Sequence, residues 1–130
     1  MLSVWISRLT RQDVHHAASA RWLGSHVAAS GDIVVPSLLL AEAAGGIARR
    51  TGDTTLGNQA VTDLLNLPAV YVITLDRPLA MRAAQLAANL RLRGADAVYV
   101  AVADYLSVPL FTWDREQLTR TVGWITARTP

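Results

Sequence analysis

Apolar residues are spaced along this chain in two rhythms. Four short runs are largely apolar, Asp32–Pro36, Ala69–Thr74, Pro109–Trp113 and Gly123–Ala127, the pattern of strands buried on both faces. Between them apolar positions fall three and four residues apart, the spacing of one helix face. Asp13 opens such a segment, with Val14, Ala18 and Trp22 on one side, continuing to Ala29. Ser37–Arg50 is a second, stopped by Thr51-Gly52, and Asp53–Asn66 a third with Leu56, Ala60, Leu64 and Leu67 in register. Asp76 caps a fourth, with Pro78 near its start and Leu79, Ala83, Leu86 and Leu90 facing inward. Residues 94–106 form a fifth, and Asp114 begins a short sixth. Ser3–Leu9 suits a helix or a strand equally.

Strands separated by helices imply a parallel sheet covered on both faces, in a single domain over residues 1–130. Ligands of such sheets sit beyond the carboxyl ends of the strands. The chain is 52% hydrophobic and 17% charged, too apolar for disorder and long enough for a core. No apolar run approaches the roughly 18 residues of a spanning helix. The longest, Ile33–Ala41, is broken by Pro36 and followed by Glu42. No basic segment followed by an apolar core opens the chain, so the expectation is a cytoplasmic protein without signal peptide or membrane partner. The absence of cysteine excludes disulfides, thiolate metal sites and cysteine nucleophiles. All 12 basic residues are arginine, at a net charge of +2. Arginine grips phosphate with two parallel hydrogen bonds, so RNA is an admissible partner; a coding preference for arginine explains the same count.

The centre of the chain is Arg93-Gly-Ala-Asp-Ala-Val-Tyr-Val-Ala-Val-Ala-Asp104, an apolar helix with one carboxylate, Asp96, in its first turn. An acid among so many apolar neighbours must cap, protonate or meet a cation. Glu42 is the only charge between Asp32 and Arg49, with Gly45 and Gly46 one turn on. Either the glycines clear space beside a functional carboxylate, or Glu42 snorkels to solvent or pairs with Arg49 or Arg50. Asp114 ends a strand where a crevice would open, and Asp114-Arg-Glu-Gln117 also resembles a capping box. Asp104 reads as a paired or exposed acid, and Asp13, Asp53 and Asp76 as caps. Carboxylates gathered in one place repel, and a divalent cation such as Mg²⁺ or Mn²⁺ removes that cost. His15, His16 and His26 lie together on the N-terminal helix, remote in sequence from these acids, and read as non-catalytic. No glycine-rich phosphate loop and no nucleophile elbow is present.

Three segments, Pro36-Ser-Leu-Leu-Leu-Ala-Glu42, Arg93-Gly-Ala-Asp96-Ala-Val-Tyr-Val-Ala-Val-Ala and Phe111-Thr-Trp-Asp114-Arg-Glu, together resemble the acidic motifs of PIN domains. The resemblance is to the VapC-type toxins of bacterial toxin–antitoxin pairs, and it covers nearly the whole chain. It implies a three-layer α/β/α PIN-like fold with a short parallel sheet of order 3-2-1-4-5. It also implies a Mg²⁺- or Mn²⁺-dependent endoribonuclease, usually a homodimer, that cleaves an RNA substrate and is inhibited by a cognate antitoxin. Glu42, Asp96 and Asp114 match three family acids, implied to act in catalysis and metal binding.

A fourth acid is missing. The family's first strand ends in Asp-x-Ser, whereas Met1-Leu2-Ser3 sets Met1 at the aspartate's place. The first, central strand is therefore expected to be absent or truncated. A start assigned too far downstream and a truncated copy both explain this. A thioether is a poor ligand for a hard cation, so the alternative to a nuclease is an inactive PIN-like module that holds the antitoxin or RNA. A third reading is an unrelated α/β domain whose acids are all caps.

Overall fold

The computed structural model describes residues 1–130, whose contacts divide into two compact units. The first is Leu2–Ile73; the second is Thr74–Pro130 together with Met1.

The first unit holds α1 (Leu2–Leu9), α2 (His16–Ala28), β1 (Ile33–Pro36), α3 (Leu38–Thr51), α4 (Thr54–Leu65) and β2 (Val70–Ile73). The ambiguous N-terminal stretch is helix. A strand would turn Trp5 to the face opposite Val4 and Ile6, yet all three are buried. Helix α1 achieves this because α2, α3 and α4 surround it. The Trp5 indole donates to the Ala60 carbonyl of α4 at 3.1 Å, and the buried hydroxyls of Ser7 and Ser19 join α1 to α2 at 2.6 Å. Helix α2 starts later than the pattern suggests. Asp13 accepts from the His15 N–H at 2.9 Å in the preceding turn, and its other oxygen lies 3.5 Å from Arg50.

Strands β1 and β2 are parallel, with Ile33 opposite Val70 and Pro36 opposite Ile73. Pro36 breaks no ladder bond, because the next N–H in the ladder comes from Ser37, which donates to the Ile73 carbonyl at 2.9 Å. Gly52, at φ 70°, closes α3, and Asp53 caps α4 through the N–H groups of Thr55 and Leu56. The two helices approach closely at Gly57, where a Cβ would lie 2.6 Å from the Ala44 carbonyl and 3.0 Å from the Ala48 Cβ. Leu56, expected in the α4 core face, is instead 48% exposed, and Ala60 and Leu64 carry the packing. The glycine pair of α3 also has another use than clearing space beside Glu42. A Cβ on Gly46 would press on Ile6 of α1 at 3.2 Å, and one on Gly45 would meet the Arg49 guanidinium at 3.1 Å. The histidines serve this unit. His16 Nδ1 lies 3.1 Å from the Ser7 carbonyl, and His26 stacks on Trp22 with Nε2 2.8 Å from the Asp32 carbonyl.

The second unit holds α5 (Arg77–Leu90), α6 (Gly94–Leu106), β3 (Leu110–Phe111), α7 (Arg115–Arg120) and β4 (Ala127–Arg128). Asp76 caps α5 through the Leu79 N–H at 3.0 Å, with Pro78 in the first turn. Leu79, Ala83 and Leu86 are buried, and α5 packs on α6. Every residue of α6 from Ala97 to Ala103 is buried, as its composition requires. Asp104 is a paired acid, 2.7 Å from Arg82 of α5, and worth at most about 1 kcal/mol at such exposure. The last strand is not Gly123–Ala127. Residues 121–125 turn, with Trp124 and Ile125 donating back to the Thr121 carbonyl, so pairing starts only at Ala127, opposite Leu110.

The strands thus form two parallel pairs, β1–β2 and β3–β4. These are the pairs that an order of 3-2-1-4-5 leaves when its first strand is missing, and the chain from Leu2 onward begins with helix. No helix is long and apolar enough to cross a membrane.

The glycines of α4 and α2 make opposite demands. Gly57→Ala should cost about 1–3 kcal/mol through overpacking against α3. Gly24→Ala, on α2 with nothing within 4 Å, should gain about 0.5–1 kcal/mol. Urea denaturation of both variants checks the pair.

Candidate active site

The second unit contains two of the three acids singled out in the sequence. Asp96 is the third residue of α6, where the positive end of the helix dipole favours a carboxylate. Burial of α6 begins at Ala97, and Asp96 itself is only half-buried, so water reaches it. It is not the cap of the helix; Arg93 holds that position, without a side-chain bond. Asp114 stands just beyond β3 and is the cap of α7, accepting from the Gln117 N–H at 2.9 Å. The cap reading of Asp114 is what the structure shows, and the residue also follows on the strand, the place on which its functional reading rests.

The capping box is only half formed. Its reciprocal bond would run from the Gln117 side chain to the Asp114 N–H. That N–H donates instead to the Thr112 hydroxyl at 3.0 Å. The Gln117 side chain, 3% exposed, is engaged elsewhere. Its Oε1 accepts from the Thr112 hydroxyl at 2.7 Å, and its Nε2 donates to the backbone carbonyl of Asp96 at 3.1 Å. The Thr121 hydroxyl completes the network on the Gln117 carbonyl at 2.6 Å. Thr112 and Thr121 are buried as well. One buried amide thus connects the first turn of α6, the end of β3 and the start of α7, and with them the backbones that carry Asp96 and Asp114. Thr112 and Gln117 were not singled out in the sequence. Their signal is the spacing Thr-x-Asp-x-x-Gln, which places a polar side chain on each side of the acid.

Glu42 belongs to the first unit, half-buried on α3. Met1 is buried, 7% exposed, and groups with the second unit. No three His, Asp or Glu side chains form a cluster of metal-binding size. The donors of the second unit are two carboxylates, and they suit a hard cation: Mg²⁺ is commonly held by one or two carboxylates, with water and substrate oxygens completing its shell. Asp114 uses only Oδ1 in the cap, which leaves Oδ2 for a ligand.

Gln117→Leu keeps the volume but removes the acceptor of the Thr112 hydroxyl and one donor to the Asp96 carbonyl. It should lower stability by about 1–3 kcal/mol in urea denaturation.

The chain has the architecture of a known group. The PIN domain family matches residues 3–122. Among solved structures, VapBC2 from Rickettsia felis bound to a DNA fragment from their promoter is similar in fold. The TM-score is 0.75 at 13% identity, and the match covers 99% of this chain and 95% of that one. None of the curated proteins matches significantly. With 3–122 matched, and Asp96 and Asp114 standing where a buried glutamine connects their backbones, the chain belongs to the PIN-domain family.

Proposed function

We propose that this chain is a toxin nuclease, a Mg²⁺- or Mn²⁺-dependent endoribonuclease that hydrolyses RNA phosphodiester bonds under the control of a cognate antitoxin. The observation that carries the proposal is the connection of Asp96 and Asp114 through buried Gln117. PIN domains are generally nucleases, which supports the reaction class. The similarity in fold to VapBC2 supports an antitoxin partner. The homodimer rests on family resemblance alone.

Asp96 and Asp114 Oδ2 would hold the cation. Once bound there, it supplies a more acidic water and offsets charge on the phosphoryl oxygens. The protein's own task is to keep the two carboxylates in a fixed relation without substrate. Gln117 contributes by tying the backbone of Asp96 to the turn that carries Asp114, which limits how far the two acids can separate. Glu42, by its match to the family motif, is proposed as a third acid of the reaction.

Met1 favours a second reading. A thioether in place of a carboxylate weakens a hard-metal site, and a chain that binds its partners without cleaving RNA would result. Replacement of Met1 separates the two. Met1→Asp, placed behind a new initiator methionine, should cleave RNA in Mg²⁺ or Mn²⁺ faster than the unaltered chain. Adding Asp96→Asn should then lower the rate by about 100-fold or more, at least the effect of losing a residue that supports a metal ligand. Cleavage that continues in EDTA would rule out the metal mechanism. No cleavage by either chain leaves the binding module as the function, and equal cleavage by both removes it.

A further inference from the structure

Two carboxylates repel the backbone of RNA, so a nuclease site built on them needs positive charge nearby. The second unit supplies it at one end. Helices α5 and α6 meet in the turn Arg91-Leu92-Arg93. Leu92 is buried and anchors the turn, while Arg91 and Arg93 on either side are exposed. Arg115, also exposed, opens α7 directly after Asp114. The two segments are fastened together. The Arg120 guanidinium donates to the Arg91 carbonyl and pairs with Glu116 at 3.0 Å, and Gln117 reaches the Asp96 carbonyl at 3.1 Å.

The ion pairs of the chain engage Arg50, Arg82 and Arg120, and none engages Arg91, Arg93 or Arg115. Arg91 carries a further mark. It closes α5 at φ 53° and ψ 39°, a left-handed conformation that glycine adopts without cost. An arginine there is disfavoured by the backbone, so glycine is the substitution that removes the guanidinium and relieves the conformation at once.

We propose that Arg91, Arg93 and Arg115 form a rim that binds the phosphates of single-stranded RNA beside Asp96 and Asp114. Guanidinium suits this role because it stays charged and offers paired donors to phosphate oxygens. The inference rests on the nuclease reading for the choice of RNA, but it concerns binding and not cleavage.

The test is the salt dependence of RNA affinity, measured with a short single-stranded RNA, the full chain and EDTA. The slope of log K against log salt should become shallower by about 0.7 in Arg91→Gly, and by about 2 when Arg93→Gln and Arg115→Gln are added. Arg21→Gln, an exposed position on α2, should leave the slope unchanged. Arg91→Gly should also raise the melting temperature by roughly 3 °C, since it relieves the left-handed residue. Stability and affinity moving in opposite directions is a result that a purely structural role for Arg91 would not produce. An unchanged slope in the triple variant, an equal loss in Arg21→Gln, or no RNA binding by the unaltered chain overturns the rim. Arginine-dependent binding without cleavage in Mg²⁺ by either the unaltered chain or Met1→Asp leaves the rim standing and defeats the catalytic reading. Cleavage with a slope indifferent to the triple variant does the reverse.

Discussion

The amide of Gln117 is the interaction on which the acidic end of this protein depends. A buried amide with both ends bonded is tolerated; one with either end free is costly. Its two bonds, to Thr112 and to the Asp96 carbonyl, therefore require β3, α6 and α7 to be in place together. Helix α7 has only six residues, far below the length at which a helix is stable in water alone. It exists because Asp114 caps it and Gln117 anchors it. The acid that follows β3 is thus the same acid that begins the helix.

Much of the fold was legible because local chemistry and burial agree. Asp53 and Asp76 cap the helices they precede, Gly52 ends α3, and the apolar stretch after Asp96 is the buried helix it resembles. The misreadings have identifiable causes. Asp13 looks like a cap, but its side chain is used one turn earlier. Gly123–Ala127 has strand-like residues, but Thr121 draws back the chain through two N–H groups. Gly45 and Gly46 stand beside a carboxylate in sequence, yet the space at Gly46 belongs to Ile6, a residue distant along the chain. Tertiary packing decided these positions, and spacing alone carries no record of it.

The acids show the same division. Asp96 and Asp114 could be named from their neighbours, whereas the residue that connects their backbones could not. In Asp114-Arg-Glu-Gln117 the expected partner of Gln117 is the Asp114 N–H. Thr112 takes that N–H and frees Gln117 to reach across to α6. A four-residue motif describes only contacts along the chain, and the bond to Asp96 spans 21 residues.

Because α7 is only six residues long, its opening is an event distinct from global unfolding. Regions with few anchoring contacts open at lower free energy than the core, and their amide hydrogens exchange with solvent sooner. In this chain, fraying of α7 would release the Asp114 cap, the Gln117 bridge and the Arg120 tether to Arg91 at once. The lifetime of the link between the Asp96 and Asp114 backbones is then the lifetime of one helical turn and a half, and anything that settled on α7 would act as a clamp on that clock.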